Sequence, residues 1–228
     1  MGTDMIGRDT ILAYQSLRQT GKEFCGKLLK AIPKDVFVST AQELGLWKGG
    51  ILVGDEGDTD ILADRMIYDR RWDGGGCVEH FEAKNAGVGL SEMEGRFLAT
   101  MKTARFSLFK IGEMHPGSHA VLSDRLAEIR GGEAHPPLEL IDLGLSQTGV
   151  PGMLLATRLL HADGFHMTSG VSFPFAAEKE APIMSYFREK EFGYRKKRLD
   201  LPENYSLYFY RLHRRLGIDV MYESDEEE

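Results

Sequence analysis

Asp163-Gly164 sits between two apolar runs and constrains this chain more than any other dipeptide in it. Asp-Gly suits the positive φ angles of a tight primed turn, and a two-residue loop fixes the register of the strands it joins. From Phe165 onward the residues alternate. Phe165, Met167, Val171, Phe173 and Phe175 share one face, interrupted by Ser169, and His166, Thr168, Gly170 and Ser172 share the other. A period of two over this length predicts a strand with one buried face. The turn then sets Ala162 opposite Phe165, His161 opposite His166, Leu160 opposite Met167 and Arg158 opposite Ser169. Leu154, Ala156 and Leu160 join the apolar face, and so does Arg158. A buried arginine requires a carboxylate, and Asp124 and Asp142, on neighbouring predicted strands, are the expected partners.

Three further strands are predicted: Arg105 to Met114, His119 to Leu126 after the turn His115-Pro116-Gly117-Ser118, and Pro137 to Leu145. Five short strands joined by tight turns imply a five-stranded antiparallel sheet or a small SH3-like or OB-like barrel. Helices are expected on both sides of it. One runs from a cap at Asp9 to Pro33, with Gly21 as a bend or break. A second spans Lys34 to Leu44, with Gly45 as its stop. A third spans Thr59 to Arg71 behind the acidic run 55–60, and a fourth follows the capping box Ser91-Glu92-Met93-Glu94. After the sheet, Ala181 to Phe192 and a last helix from Asp200 to Gly217 are expected, the latter with Tyr205, Phe209, Leu212 and Leu216 inward. The class is α+β, divided into a helical region 1–103, a β region 104–178, and C-terminal helices with an acidic tail 179–228.

Composition narrows the function classes. The formal net charge of −7 argues against a general coat for nucleic acid or a membrane surface. Cys25 and Cys77 have no metal-ligand spacing and read as free thiols of a reducing compartment. No apolar stretch approaches the roughly 20 residues that span a bilayer, and Met1 to Arg8 lacks a signal-peptide pattern. The expected location is cytoplasmic, with no membrane partner, and no cofactor is implied.

Several residues could carry chemistry. His161 and His166, opposite each other on a hairpin, could share a metal if a third ligand, such as His115 or His119, reached them. Paired histidines at a hairpin end are equally ordinary. Asp64, Asp69 and Glu82-Ala83-Lys84 match the elements of a metal-dependent nuclease core, which needs the Glu and Lys on a strand beside a second carboxylate. The plainer reading is helix capping and a solvated helix face. No nucleophile elbow and no phosphate loop is present. Within this acidic chain, Arg188, Arg195, Lys196, Lys197, Arg198, Arg211, Arg214 and Arg215 form a basic run among Tyr186, Phe187, Phe192 and Tyr194. Such a run could contact phosphates and stack on bases, or form a solvated helix face.

Two stretches carry a family resemblance. One is Ile61-Leu62-Ala63-Asp64-Arg65-Met66-Ile67-Tyr68-Asp69. The other runs from Phe106-Ser107-Leu108-Phe109 through His115-Pro116-Gly117, Leu122-Ser123-Asp124 and Gly144-Leu145-Ser146 to Leu155-Ala156-Thr157-Arg158 and Gly164-Phe165-His166-Met167-Thr168-Ser169-Gly170. Over Gly49 to Phe175 the chain resembles a group of uncharacterised bacterial proteins, some of which end in a small zinc-binding SEC-C motif. The cysteines of that motif are absent here, so no zinc role carries over. The resemblance implies a bacterial cytoplasmic α+β protein and supplies no catalytic residue.

The leading expectation is a non-enzymatic interaction module whose partner is another protein, because no coherent active-site constellation is present. A nucleic-acid-associated protein using the basic C-terminal helices is the alternative. A metal-dependent hydrolase or nuclease is the third.

Overall fold

The computed structural model describes residues 6–85, 89–129, 136–162, 164–197 and 205–218. The chain opens with α1 (Arg8–Leu29) and α2 (Lys34–Leu44), the latter stopped by Gly45 at φ 78°. A two-residue hairpin, β1 (Trp47–Lys48) and β2 (Ile51–Leu52), leads to α3 (Glu56–Tyr68). Asp55 caps α3 by accepting from the Asp58 N–H, so the acidic run does begin this helix. A second small hairpin, β3 (Arg71–Trp72) and β4 (Gly75–Gly76), turns on Asp73 and Gly74, both at positive φ. Helices α4 (Cys77–Lys84) and α5 (Glu92–Met101) follow, α5 behind the predicted Ser91/Glu94 capping box.

The β region is a closed barrel of β5 (Arg105–His115), β6 (His119–Asp124), β7 (Leu138–Ile141), β8 (Leu154–Ala162) and β9 (Phe165–Phe175). The barrel order is β5-β6-β7-β9-β8, with β8 closing back on β5. Four contacts are antiparallel and one, β7 with β9, is parallel. The expectation of an antiparallel sheet is therefore corrected to a mixed barrel. Its cause is α7 (Leu143–Thr148), which lies between the third and fourth strands and returns the chain across the barrel instead of directly alongside β7. This strand order and interposed helix follow the OB-like alternative, whereas the SH3-like alternative would be a meander.

The predicted register holds at the hairpin, where Ala162, His161 and Leu160 face Phe165, His166 and Met167. Beyond Thr168 it slips by two residues, so that Ala156 faces Phe173. The extra pair includes Gly170 at φ 115°. A slip of two keeps every side chain on its own face, which is why the apolar pattern survived the bulge. Two strand ends are corrected. β6 stops at Asp124, because that carboxylate accepts the backbone N–H groups of Leu126 and Ala127 and starts α6 (Arg125–Ile129). β7 stops at Ile141, because Asp142 caps α7 by accepting from the Leu145 N–H.

Phe109, Ile111, Leu122, Leu140, Leu155 and Leu159 fill the barrel. Its outer faces carry two further cores. Helices α1, α4 and α5 pack on Leu160, Phe165 and Met167. Helices α2 and α3, with α8 (Glu180–Lys197, after the 3-10 turn Ala177–Lys179) and α9 (Ser206–Leu216), pack on Phe106, Phe173 and Phe175. Gly21 does not break α1. A Cβ there would sit 2.6 Å from the Phe97 ring, so its small size is a packing requirement between α1 and α5. Leu216, expected inward, is exposed, and the expected start of the last helix lies outside the described residues. Among the described residues no helix is long and apolar enough to cross a membrane. Phe109 is fully buried at the barrel centre. Phe109→Ala is expected to cost about 3–5 kcal/mol in urea unfolding.

Candidate functional site

Helix α3 and strand β8 meet at a buried guanidinium. Arg158, on the outer apolar face of β8, is 5% exposed. Its Nε and Nη2 donate to the Asp64 carboxylate at 3.1–3.4 Å, and Nη2 also donates to Asp69 Oδ1 at 2.7 Å. The guanidinium carbon lies 4.7 Å from the Tyr68 ring centroid and 5.6 Å from that of Phe106. Two aromatic faces and two carboxylates therefore hold one cation. The partners are not Asp124 and Asp142. Asp124 takes Ser107 and lies within ion-pair distance of Arg105, and Asp142 caps α7 and accepts from Thr168. The inference that Arg158 needs a carboxylate was right in kind. The carboxylates come from a helix laid across the strand, which strand adjacency cannot reveal.

The network continues outward. Arg65 donates to Asp69, Ser206 and Glu43, and Arg70 donates to Glu43 and Ser39. Ser206 donates to Asp69, which ties the start of α9 to the end of α3. Burial pushes the Asp64 carboxyl up; Arg158 pulls against this and Asp69 adds to it. Arg158 is raised, because its two aspartates outweigh the effect of burial. Burial also tends to raise Glu43, but Arg65 and Arg70 outweigh it and leave it lowered.

Beside this network opens a cleft of about 570 Å³, between the end of α3, the β3–β4 hairpin, α4, the end of α5 and the start of β5. Ile67, Val78, Met101 and Phe106 supply apolar lining. Five cations line it (Arg70, Arg71, Lys102, Arg105 and Arg158) against three carboxylates, Asp69, Glu79 and Glu82. Each of these carboxylates is paired: Asp69 with Arg158, Glu79 with Arg71 at 3.7 Å, and Glu82 with Lys102 at 2.5 Å. Sequence reasoning missed the cleft. Its cations come from segments far apart in the chain, and of its charged members only Asp69, Glu82 and Arg158 stand out in the sequence, Arg158 for its burial alone.

The nuclease elements are thus partly brought together, in a different arrangement. Asp64 and Asp69 converge on Arg158, and Glu82 lines the same cleft, but Glu82 and Lys84 lie on α4 rather than on a strand. His161 and His166 face each other with ring centroids 4.8 Å apart, and His115 stacks on His119 at 4.2 Å. Among the described residues no group of three or more His, Cys, Asp or Glu is placed to hold a metal. Burial pushes the thiols of Cys25 and Cys77 up to about 11 and about 12, which keeps both protonated near neutrality.

The basic run is placed in part. Arg188 is exposed on α8. Arg195, Lys196 and Lys197 lie on the same helix, and Arg198 falls outside the described residues. On α9, Arg211 donates to the Glu43 carbonyl and Arg214 to the Tyr210 hydroxyl, and Arg215 is exposed.

A family model described as "Family of unknown function (DUF7986)" matches residues 8–223. No curated protein and no solved structure matches the chain.

Arg158→Ala is expected to lose about 3–5 kcal/mol in urea unfolding, since it strands buried carboxylates. Adding Asp64→Asn should recover part of that loss by removing one of them. Glu43 is lowered in the folded state, so its ion pairs contribute fully above its ordinary value of 4.5 and are lost as pH falls through its depressed value. Urea midpoints between about pH 6 and about pH 3 should fall less steeply in Glu43→Gln than in wild type.

Proposed function

The chain belongs to this family of unknown function, and we propose that it works as a non-enzymatic interaction module whose partner is another protein. One observation carries the reading: every carboxylate lining the cleft is held in an ion pair. A general base or a metal ligand turns its oxygens into the site, and here each lining carboxylate turns one to a cation instead, Asp69 from a buried position and Glu79 and Glu82 from exposed ones. His80, on α4, has its Nε2 at 2.7 Å from the Trp72 carbonyl and its ring stacked on that indole. What remains is a shaped, partly apolar recess with charged edges, which suits recognition. The barrel fits recognition in general, since OB-like barrels often serve it, an argument from fold analogy that does not choose the partner.

The test is a cross-linked pull-down of the full chain from native lysate, split into nuclease-treated and untreated halves. Protein partners that persist after nuclease treatment are expected. Partners that vanish with nuclease would overturn the reading in favour of the basic residues of α8 and α9. Turnover of a substrate at the cleft would overturn it in favour of an enzyme.

A further inference from the structure

We propose that the cleft beside Arg158 receives an acidic segment of the partner protein, with a carboxylate seated on Arg158 and its neighbours paired to the rim cations. The proposal rests on the interaction-module reading and names the chemistry of its partner.

Arg158 is the first reason. Its Nε and Nη2 make all of its hydrogen bonds to Asp64 and Asp69, and its Nη1 has no hydrogen-bond partner among the described residues. The side chain is nine-tenths buried, yet it lines the cleft. A guanidinium clamped by two aspartates and two rings loses no rotamer freedom when a ligand arrives, so its remaining edge is a pre-organised donor for an oxyanion.

Charge balance is the second. Five cations and three carboxylates line this recess, and the carboxylates that also pair Arg70, Arg105 and Arg158 (Glu43, Asp124 and Asp64) lie outside its lining, so the lining presents the cationic side of these pairs. The rim pairs are the ones a ligand can exchange. Arg71 and Glu79 are 3.7 Å apart with side chains 66% and 58% exposed, and Lys102 and Glu82 are 51% and 37% exposed. Exposed pairs of this kind contribute little stability, so an incoming carboxylate can take a rim cation at small cost.

The form of the ligand follows. The free donor edge is a single Nη1, and the other lining cations already face carboxylates of their own: Arg70 faces Glu43, Arg71 Glu79, Lys102 Glu82 and Arg105 Asp124. That arrangement suits separate carboxylates along a chain better than one dianionic phosphate, which calls for several donors at one spot. The apolar lining from Ile67, Met101 and Phe106 suits an aliphatic or aromatic residue between the acids.

The experiment uses the full-length chain and fluorescently labelled poly-L-glutamate, followed by anisotropy at low and moderate salt. Saturable binding is expected. Arg71→Glu with Lys102→Glu should weaken it by about tenfold or more, and both side chains are exposed enough for the fold to tolerate the change. Arg188→Glu with Arg215→Glu should leave it within about twofold. Arg158→Lys keeps the charge and lacks Nη1; where circular dichroism shows it folded, it should also weaken binding. No saturable binding would overturn the proposal, as would binding that survives the Arg71/Lys102 change or is lost with the Arg188/Arg215 change. A thymidine oligonucleotide that displaces poly-L-glutamate from the cleft at lower concentration than free poly-L-glutamate does would overturn it too. Nuclease-resistant protein partners captured by wild type and equally by the Arg71/Lys102 variant would sink this inference and leave the interaction-module reading standing.

Discussion

A cation on the apolar face of a strand must be neutralised, and much of this structure follows from how Arg158 is neutralised. An unpaired buried guanidinium costs several kcal/mol, so β8 can pack only where carboxylates reach it. Helix α3 and its C-cap residue provide two of them, Asp64 and Asp69, five residues apart and converging on one side chain. That requirement sets where α3 lies across the barrel. Through Asp69 and Ser206 it also sets where α9 begins, and through Arg65, Arg70 and Glu43 it draws in α2. Helices from both ends of the chain are thus anchored to one strand by a connected set of charges. Such a set is weak evidence for stability against an apolar equivalent, but it discriminates between packings, because a misplaced helix leaves charges buried without partners.

The same arrangement gives the cleft its character. The Arg158 guanidinium is fixed by its partners, and Asp64 and Asp69 are spent on holding it. The proposed recognition and the structural support therefore share residues here. Tyr68 and Phe106 both pack on Arg158 and line the recess, so the floor of the cleft is continuous with the buried network. The family assignment adds extent, since it covers residues 8–223, and it brings no activity with it.

Much was legible from local pattern. The Asp163-Gly164 hairpin, α2 with its Gly45 stop, and the Ser91/Glu94 box rest on interactions between residues a few positions apart, and the sequence carries their signals directly. Helix α4 was missed because its eight residues are too few for a clear period. The overlong readings of β6 and β7 came from apolar residues continuing past Asp124 and Asp142, where a side-chain cap redirects the backbone into a helix. Those two aspartates were noticed and given the wrong role. They serve the chain a few residues on, and the arginine they were matched with is served from a distance.

By itself the sequence determined the α+β class, five short strands with a near-correct hairpin register, and the need of Arg158 for an acid, because periodicity, turn chemistry and the cost of a buried charge are local or one-body effects. Only the tertiary structure decided that the strands close into a mixed barrel, that Asp64 and Asp69 are the acids, and that Arg70, Arg71, Lys102, Arg105 and Arg158 share one recess. Those outcomes depend on how α3, α4, α5 and the barrel pack against one another. Such packing is a many-body choice among surfaces that look alike when read one segment at a time.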